Sequence, residues 1–287
     1  MGTKPASQAG YTAEASQLAW SASLYIATKL GDLRDDVVIV GGLVPSLLVP
    51  LADASSDKPK HIGTMDVDLG LAVAILNEQR YQELSERLSA AGFQPDSNEA
   101  GRTISQRWTI RAERQLVSVD FLIPPTLPGD KGGMLRNLED GFSAIITPGL
   151  ELAFVDKRLV TLQGQTLHNE SAERQMWVRE AGAFLVLKAL AFRGRGENKD
   201  AYDLTYLVQN YGESIRDVFE RLCPLLENSV ARQALDILEQ DFAHIDAVGI
   251  RRLAEFFGDA SDEAMRADAA AAVRSLLRLC RETDASQ

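Results

Sequence analysis

Val37-Val38-Ile39-Val40-Gly41-Gly42, followed by Thr64-Met65-Asp66-Val67-Asp68-Leu69, decides the reading of this chain. The first stretch is a β-branched run closed by a glycine turn, and the second carries two carboxylates two residues apart. Successive side chains of a strand point to opposite faces, so Asp66 and Asp68 share one face while Val67 and Leu69 enter the core. Two carboxylates held side by side repel, and each raises the other's pKa unless a cation lies between them. Mg²⁺ is the simplest such cation, because it takes carboxylate and phosphate oxygens and keeps several of its waters.

Working outward, Leu116-Val117-Ser118-Val119-Asp120-Phe121-Leu122-Ile123 reads as another strand, with one carboxylate among apolar neighbours. Asp120 is the third acid. Three acids on adjacent strands can hold two metal ions roughly 3.5–4 Å apart, a pattern suited to activating a hydroxyl and neutralising a leaving pyrophosphate. An Asp-x-Asp pair alone is usually a solvated strand end; the glycine turn before it and the third acid after it are what point to chemistry. The Gly-Gly could also open a dinucleotide-binding turn, but the third glycine of G-x-G-x-x-G is missing, and so is the GK[ST] ending of a P-loop.

A second constellation lies further on. From Ala181 to Ala191 the chain is apolar except for Lys188, which predicts a largely buried helix with one ammonium in it. Such a group either snorkels to the surface or meets a carboxylate or phosphate. Asp200 and Asp203, three apart on the next predicted helix, lie on nearly one face, so a Lys188–Asp203 pair is expected, as a structural salt bridge or as part of a phosphate grip. Between the helices, Phe192-Arg193-Gly194-Arg195-Gly196-Glu197-Asn198-Lys199 reads as a Gly-interrupted basic loop. It is either a plain turn or a phosphate-binding loop with Arg193 and Lys199 as donors.

Gly41-Gly42, Thr64-x-Asp66-x-Asp68, Asp120, Lys188 through Arg193, and Lys199-Asp200-x-x-Asp203-Leu204 together resemble the AbiEii and MenT nucleotidyltransferases, toxins of bacterial type IV toxin–antitoxin pairs, over about residues 35–210. The resemblance implies a DNA-polymerase-β-like nucleotidyltransferase domain with a mixed sheet flanked by helices, followed by a C-terminal helical domain, hence the α+β class. It implies Asp66, Asp68 and Asp120 as ligands of Mg²⁺, two ions in all, with Gly41, Gly42 and Thr64 touching the nucleotide phosphates. Lys188 and Asp203 become the essential pair of the helical part. An NTP as donor, RNA or a tRNA end as acceptor, and a cognate antitoxin are the partners it implies. Members often carry Ser after the first glycine and Arg two residues before the Thr; here Gly42 and Ile62 stand there, with Lys60 and His61 the nearest basic residues.

With 287 residues, 45% hydrophobic and 25% charged, the chain can bury a sizeable core in one or two domains. Residues 1–165 are expected to form the nucleotidyltransferase domain and 166–287 a helical domain completing the nucleotide site. No membrane span or signal peptide is read, so a cytoplasmic location is the expectation. Cys223 and Cys280 form no disulfide framework or zinc pattern, and His61, His168 and His244 no metal pattern. A net charge of −11 argues against a large nucleic-acid interface. Against that, Arg102, Arg107, Arg111 and Arg114 surround Trp108 and Lys157-Arg158 follow, which makes either a strip for an RNA end or a solvated strand face over a core Trp. That leaves three readings: transfer to RNA, transfer to a small molecule or protein side chain, and a nucleotide- or antitoxin-binding module without turnover.

The expected elements are helices near Ala13–Leu30, 43–51 and Glu78–Ala91, and strands ending at Gly42 and near Ile104–Arg111 and Leu116–Ile123. Residues 124–150 are read as loop, Glu151–Phe154 and Leu159–Leu162 as short strands, and the remainder to about Arg281 as helical.

Overall fold

The computed structural model describes residues 5–49, 58–72, 78–112 and 115–284. In chain order the elements are α1 (Ala13–Leu30), β1 (Val37–Ile39), α2 (Val44–Leu48), β2 (Asp66–Leu71), α3 (Glu78–Ala90), β3 (Gln94–Ser97), β4 (Thr103–Ala112) and β5 (Gln115–Ile123). They continue with β6 (Leu135–Glu139), β7 (Phe142–Ile146), α4 (Leu152–Val155), β8 (Lys157–Gln165) and β9 (Ser171–Arg179). The helices α5 (Ala181–Arg195), α6 (Asn198–Asn210), α7 (Ile215–Leu222), α8 (Ser229–Phe242), α9 (Val248–Phe257) and α10 (Glu263–Asp284) complete the chain. The class is α+β, a mixed sheet flanked by helices.

Two compact units divide the chain. The first comprises 12–44 and 63–179; the second comprises 2–11, 45–62 and 180–287. In the first unit the strands run in the order β3-β4-β5-β2-β1-β9-β8, with β7 beside the end of β5 and β6 beside β7. β2 is parallel to β5 and antiparallel to β1, while β4 is antiparallel to β5, so β2 and β5 lie side by side inside the sheet. Their apolar residues explain the placement: Val67, Leu69, Val119 and Phe121 are fully buried. Phe121, Phe142 and Trp108 meet edge-on, at centroid separations of 4.9 Å for the two phenylalanines and 5.6 Å for Trp108–Phe142. α1 starts at Thr12, whose hydroxyl accepts from the Ala15 N–H, and buries Ala19, Ala22, Leu24 and Ile26. In the second unit α5 is buried along nearly its whole length, and α6 offers Leu204, Leu207 and Val208 to the core.

Several expectations are corrected. Residues 124–150 contain the β6–β7 hairpin, whose two-residue Asp140-Gly141 turn has Gly141 at φ 75°, the left-handed conformation such a turn requires. Glu151–Phe154 is not a strand: Leu152–Val155 is a single helical turn. The strand expected at Leu159–Leu162 extends over Lys157–Gln165 and pairs with β9, which lies inside the stretch expected to be helical. Sheet structure therefore runs to Arg179 and the helical part begins at Glu180, not at 166. Most side chains of β8 and several of β9 are exposed, so no apolar alternation marks either strand in the sequence. Arg114 and most of the polar stretch 53–60 lie outside the described residues.

Candidate metal centre and a buried charge cluster

Register places the acids. In the parallel β2–β5 pair Asp68 stands opposite Asp120 and Asp66 opposite Ser118, so all three carboxylates project from one face. One oxygen from each lies within 4.8 Å of the others; Asp66 and Asp68 are half-buried and Asp120 is buried. Thr64 donates its hydroxyl to Asp66 Oδ1 at 2.9 Å, fixing that carboxylate two residues away. Gly41 lies in the turn after β1, where a Cβ would fall 1.7 Å from Asp68 Oδ2 and 2.7 Å from Asp68 Cβ. The glycine is needed because the carboxylate occupies the space a side chain would fill. Gly42 follows in the same turn.

One partner of the triad was not anticipated. Arg107, on β4, stands directly opposite Asp120 on β5 and grips its carboxylate with two hydrogen bonds of 2.6 Å. This fork-to-fork geometry is the strongest way an arginine can hold a carboxylate. The hydrogen bonds to Asp120, together with the charges of Asp120, Asp66 and Asp68, push the Arg107 pKa further up against the opposing effect of burial. Arg107 thus offsets part of the charge that the three carboxylates bring together. The donor set, three carboxylates, suits a hard ion such as Mg²⁺. Trp108, on the other face of β4, is 3% exposed within the aromatic core. It is thus a core residue and offers no stacking platform, while Arg102 and Arg111 are exposed.

The second unit holds its own charged centre. Lys188, on α5, lies 2.8 Å from both Asp200 Oδ1 and Asp203 Oδ2, so the expected Lys188–Asp203 pair is present and shared with Asp200. Arg195 binds both oxygens of Asp200, at 2.6 and 2.8 Å, and Lys199 bonds Asp203 Oδ1. His61 Nε2 lies 2.9 Å from Asp203 Oδ1, and Ser46 Oγ lies 2.9 Å from His61 Nδ1. The ring sits between Tyr202, stacked at 5.2 Å, and Tyr206, edge-on at 4.8 Å.

Burial opposes ionisation of both acids. Lys188 and Arg195 nonetheless hold Asp200 down at about 2, and Lys188, Lys199 and His61 hold Asp203 well below the usual carboxylate range. Burial also pulls Lys188 down, but Asp200 and Asp203 outweigh it and leave its pKa raised; for Lys199, burial together with the Lys188 charge prevails and its pKa is lowered. Burial and the charge of Lys199 bring His61 to about 4, against the opposing pull of Asp203. A neutral, buried His61 is therefore no phosphate-binding cation.

The basic stretch 192–199 is not a loop. α5 continues to Arg195, Gly196 closes it in the left-handed conformation at φ 66°, and α6 begins at Asn198. Its side chains are engaged: Arg193 pairs with Asp241 at 2.8 Å and Gln240 at 3.1 Å, while Lys199 lies on α6 beside Asp203. Cys223 and Cys280 are not joined in a disulfide, and among the described residues no helix is long and apolar enough to cross a membrane. No protein-family model matches the chain, and none of the curated proteins matches it.

Proposed function

We propose that the chain is a metal-dependent nucleotidyltransferase, moving a nucleoside monophosphate from an NTP to an acceptor hydroxyl with release of pyrophosphate. The observation that carries this reading is the Asp66–Asp68–Asp120 triad on adjacent strands behind the Gly41-Gly42 turn, three carboxylates whose oxygens converge on one place. Asp66, Asp68 and Asp120 would hold Mg²⁺, which when bound lowers the pKa of an attacking hydroxyl and offsets charge on the phosphates. A second ion would come with the triphosphate. Thr64 fixes the Asp66 carboxylate, Gly41 makes room for that of Asp68, and Arg107 anchors that of Asp120. Positioning of this kind is most of what catalyses phosphoryl and nucleotidyl transfer. Gly42 keeps the nucleotide role that the resemblance to the AbiEii and MenT enzymes gives it, whereas Lys188, Asp203, Arg193 and Lys199, whose charges are paired within the second unit, form no part of this reading.

RNA, including a tRNA end, is the acceptor that the resemblance suggests. A small molecule or protein hydroxyl is the second reading, favoured by the net charge of −11. One experiment separates them. Purified protein and Asp66→Ala are incubated with Mg²⁺, each labelled NTP in turn and total cellular RNA, and resolved on a denaturing gel. Label entering RNA only with the parent protein supports the first reading. Pyrophosphate release that needs cell extract but labels no RNA supports the second. Full transfer by Asp66→Ala refutes the metal assignment.

A further inference from the structure

We propose that Ser46 is a second reactive centre, a serine nucleophile with His61 as its general base and Asp203 orienting the imidazole, able to take an acyl group from an activated carboxylic ester. The proposal does not depend on the acid triad: every residue in it belongs to the second unit.

The proton positions follow from the charges. Lys188 and Lys199 keep Asp203 ionised, and a carboxylate can only accept, so the His61 Nε2 facing it at 2.9 Å must carry the hydrogen. In a neutral ring Nδ1 then holds the lone pair, and the Ser46 hydroxyl 2.9 Å away must donate to it. This is the order that a nucleophile, base and orienting acid require, recognised by geometry and role rather than by sequence motif. The ring is held in place: Tyr202 stacks on it and accepts the Ile62 N–H at 2.9 Å, while Tyr206 meets it edge-on and donates to the Pro59 carbonyl at 2.8 Å. His61 and Asp203 are buried, whereas Ser46 is the member of the relay that keeps partial exposure.

In the step itself Ser46 Oγ bonds to the ester carbonyl carbon and its proton passes to His61 Nδ1. The carbon–oxygen bond to the leaving group then breaks, giving acyl-Ser46; the imidazolium gives its proton to the departing oxygen of an alcohol, or to water where a stabilised phenolate leaves as the anion. The groups facing His61 are Asp203, Lys199, Lys188, Tyr202, Tyr206 and Ser46. With the base free of its proton from about pH 4 upward, acylation should be nearly independent of pH between about 5.5 and 7.5.

The test uses the full chain and p-nitrophenyl acetate, following p-nitrophenolate release and mapping acetyl groups by peptide mass spectrometry. The expected result is acetylation of Ser46 in the folded protein, at least about 100-fold slower in His61→Gln, the scale of a lost general base, and absent in Ser46→Ala. Since His61→Gln can lower stability, the folded parent is also compared with the same chain unfolded in urea. Ser46 reacting no faster in the folded chain than in the unfolded one overturns the proposal. A rate that rises tenfold per pH unit from 5.5 to 7.5, the behaviour of an unassisted hydroxyl, does so as well.

Discussion

Replacing Gly41 by alanine tests the candidate metal centre without removing any of its charges. The new Cβ would lie 1.7 Å from Asp68 Oδ2, 2.5 Å from Cγ and 2.7 Å from Cβ. To regain non-bonded contact the oxygen must retreat by more than about 1 Å. Swinging the carboxylate does not suffice, because the Asp68 Cβ is itself too close, so β2 must shift against β1 and β5. Overpacking of this kind costs about 1–3 kcal/mol, and displacing a positioned group by about 1 Å can lower a rate about 100-fold. Mn²⁺, read by its electron paramagnetic resonance, stands in for Mg²⁺ and needs no known acceptor. The expected outcome is a chain that stays folded, binds Mn²⁺ much more weakly and releases far less pyrophosphate. Gly194→Ala is the control: Gly194 is helical with open space around it, so the change should raise stability by about 0.5–1 kcal/mol and leave Mn²⁺ binding as it was. Parent-like Mn²⁺ affinity in Gly41→Ala would refute the argument that Gly41 and Asp68 must meet for the centre to form.

Other perturbations follow from the same geometry. Arg107→Met removes both hydrogen bonds to Asp120 and raises the acid surplus, so the variant should melt lower in EDTA and gain more from Mg²⁺ than the parent does; equal gains in differential scanning fluorimetry would dismiss Arg107 as the counter-charge. Lys188→Met leaves Asp200 and Asp203 buried with one cation fewer and should cost about 3–5 kcal/mol in urea unfolding, a loss too large for a surface ion pair. Acidification should destabilise the chain through His61. Its folded pKa, about 4, lies below the ordinary 6.5, so the unfolded chain binds the proton first and stability falls from pH 6.5 to 4 by roughly 3 kcal/mol. Asp200 adds a second loss, from pH 3.8 to about 2. A His61→Gln variant whose urea midpoint falls as steeply as the parent's between pH 6.5 and 4 would show that another group titrates there.

Legibility in the sequence tracked how local each signal is. Val67, Leu69, Val119 and Phe121 alternate with the three acids, and that period is a property of each strand alone, so the triad could be read before any pairing was known. Lys188 stood out because every neighbour in its helix is apolar. The Asp140-Gly141 turn was also there to be read, but the Pro- and Gly-rich residues before it dominated the impression of a loop. β8 and β9 gave no such sign, since only Leu162, Met176 and Val178 among their apolar side chains are buried and the nine-residue antiparallel register that joins the strands leaves no mark in either one alone. Arg107 and Asp120 are 13 residues apart, and His61 and Asp203 are 142 apart. Only the completed fold sets those distances, and the same holds for Arg195, whose place on Asp200 turns an apparent loop arginine into a helix-terminal partner.

Charge balance separates the two centres by what each still lacks. In the first unit three carboxylates converge, one of them gripped by Arg107, and Asp66 and Asp68 keep partial exposure, so the cluster is not wholly closed to solvent. In the second unit Asp200 and Asp203 face Lys188, Lys199 and Arg195 with His61 neutral, one positive charge in excess, and the lowered pKa of Lys199 makes that charge the least costly to give up. A buried cluster that can neutralise itself by releasing one proton does not require a ligand in order to persist. The triad gathers carboxylates alone, so a divalent cation is the ligand that would relieve their mutual repulsion. Metal binding should therefore stabilise the parent chain, and Asp66→Asn should abolish that stabilisation while leaving the metal-free melting temperature unchanged or higher, because it relieves repulsion. A lower melting temperature in EDTA for Asp66→Asn would mean that the three acids are already balanced by the protein itself.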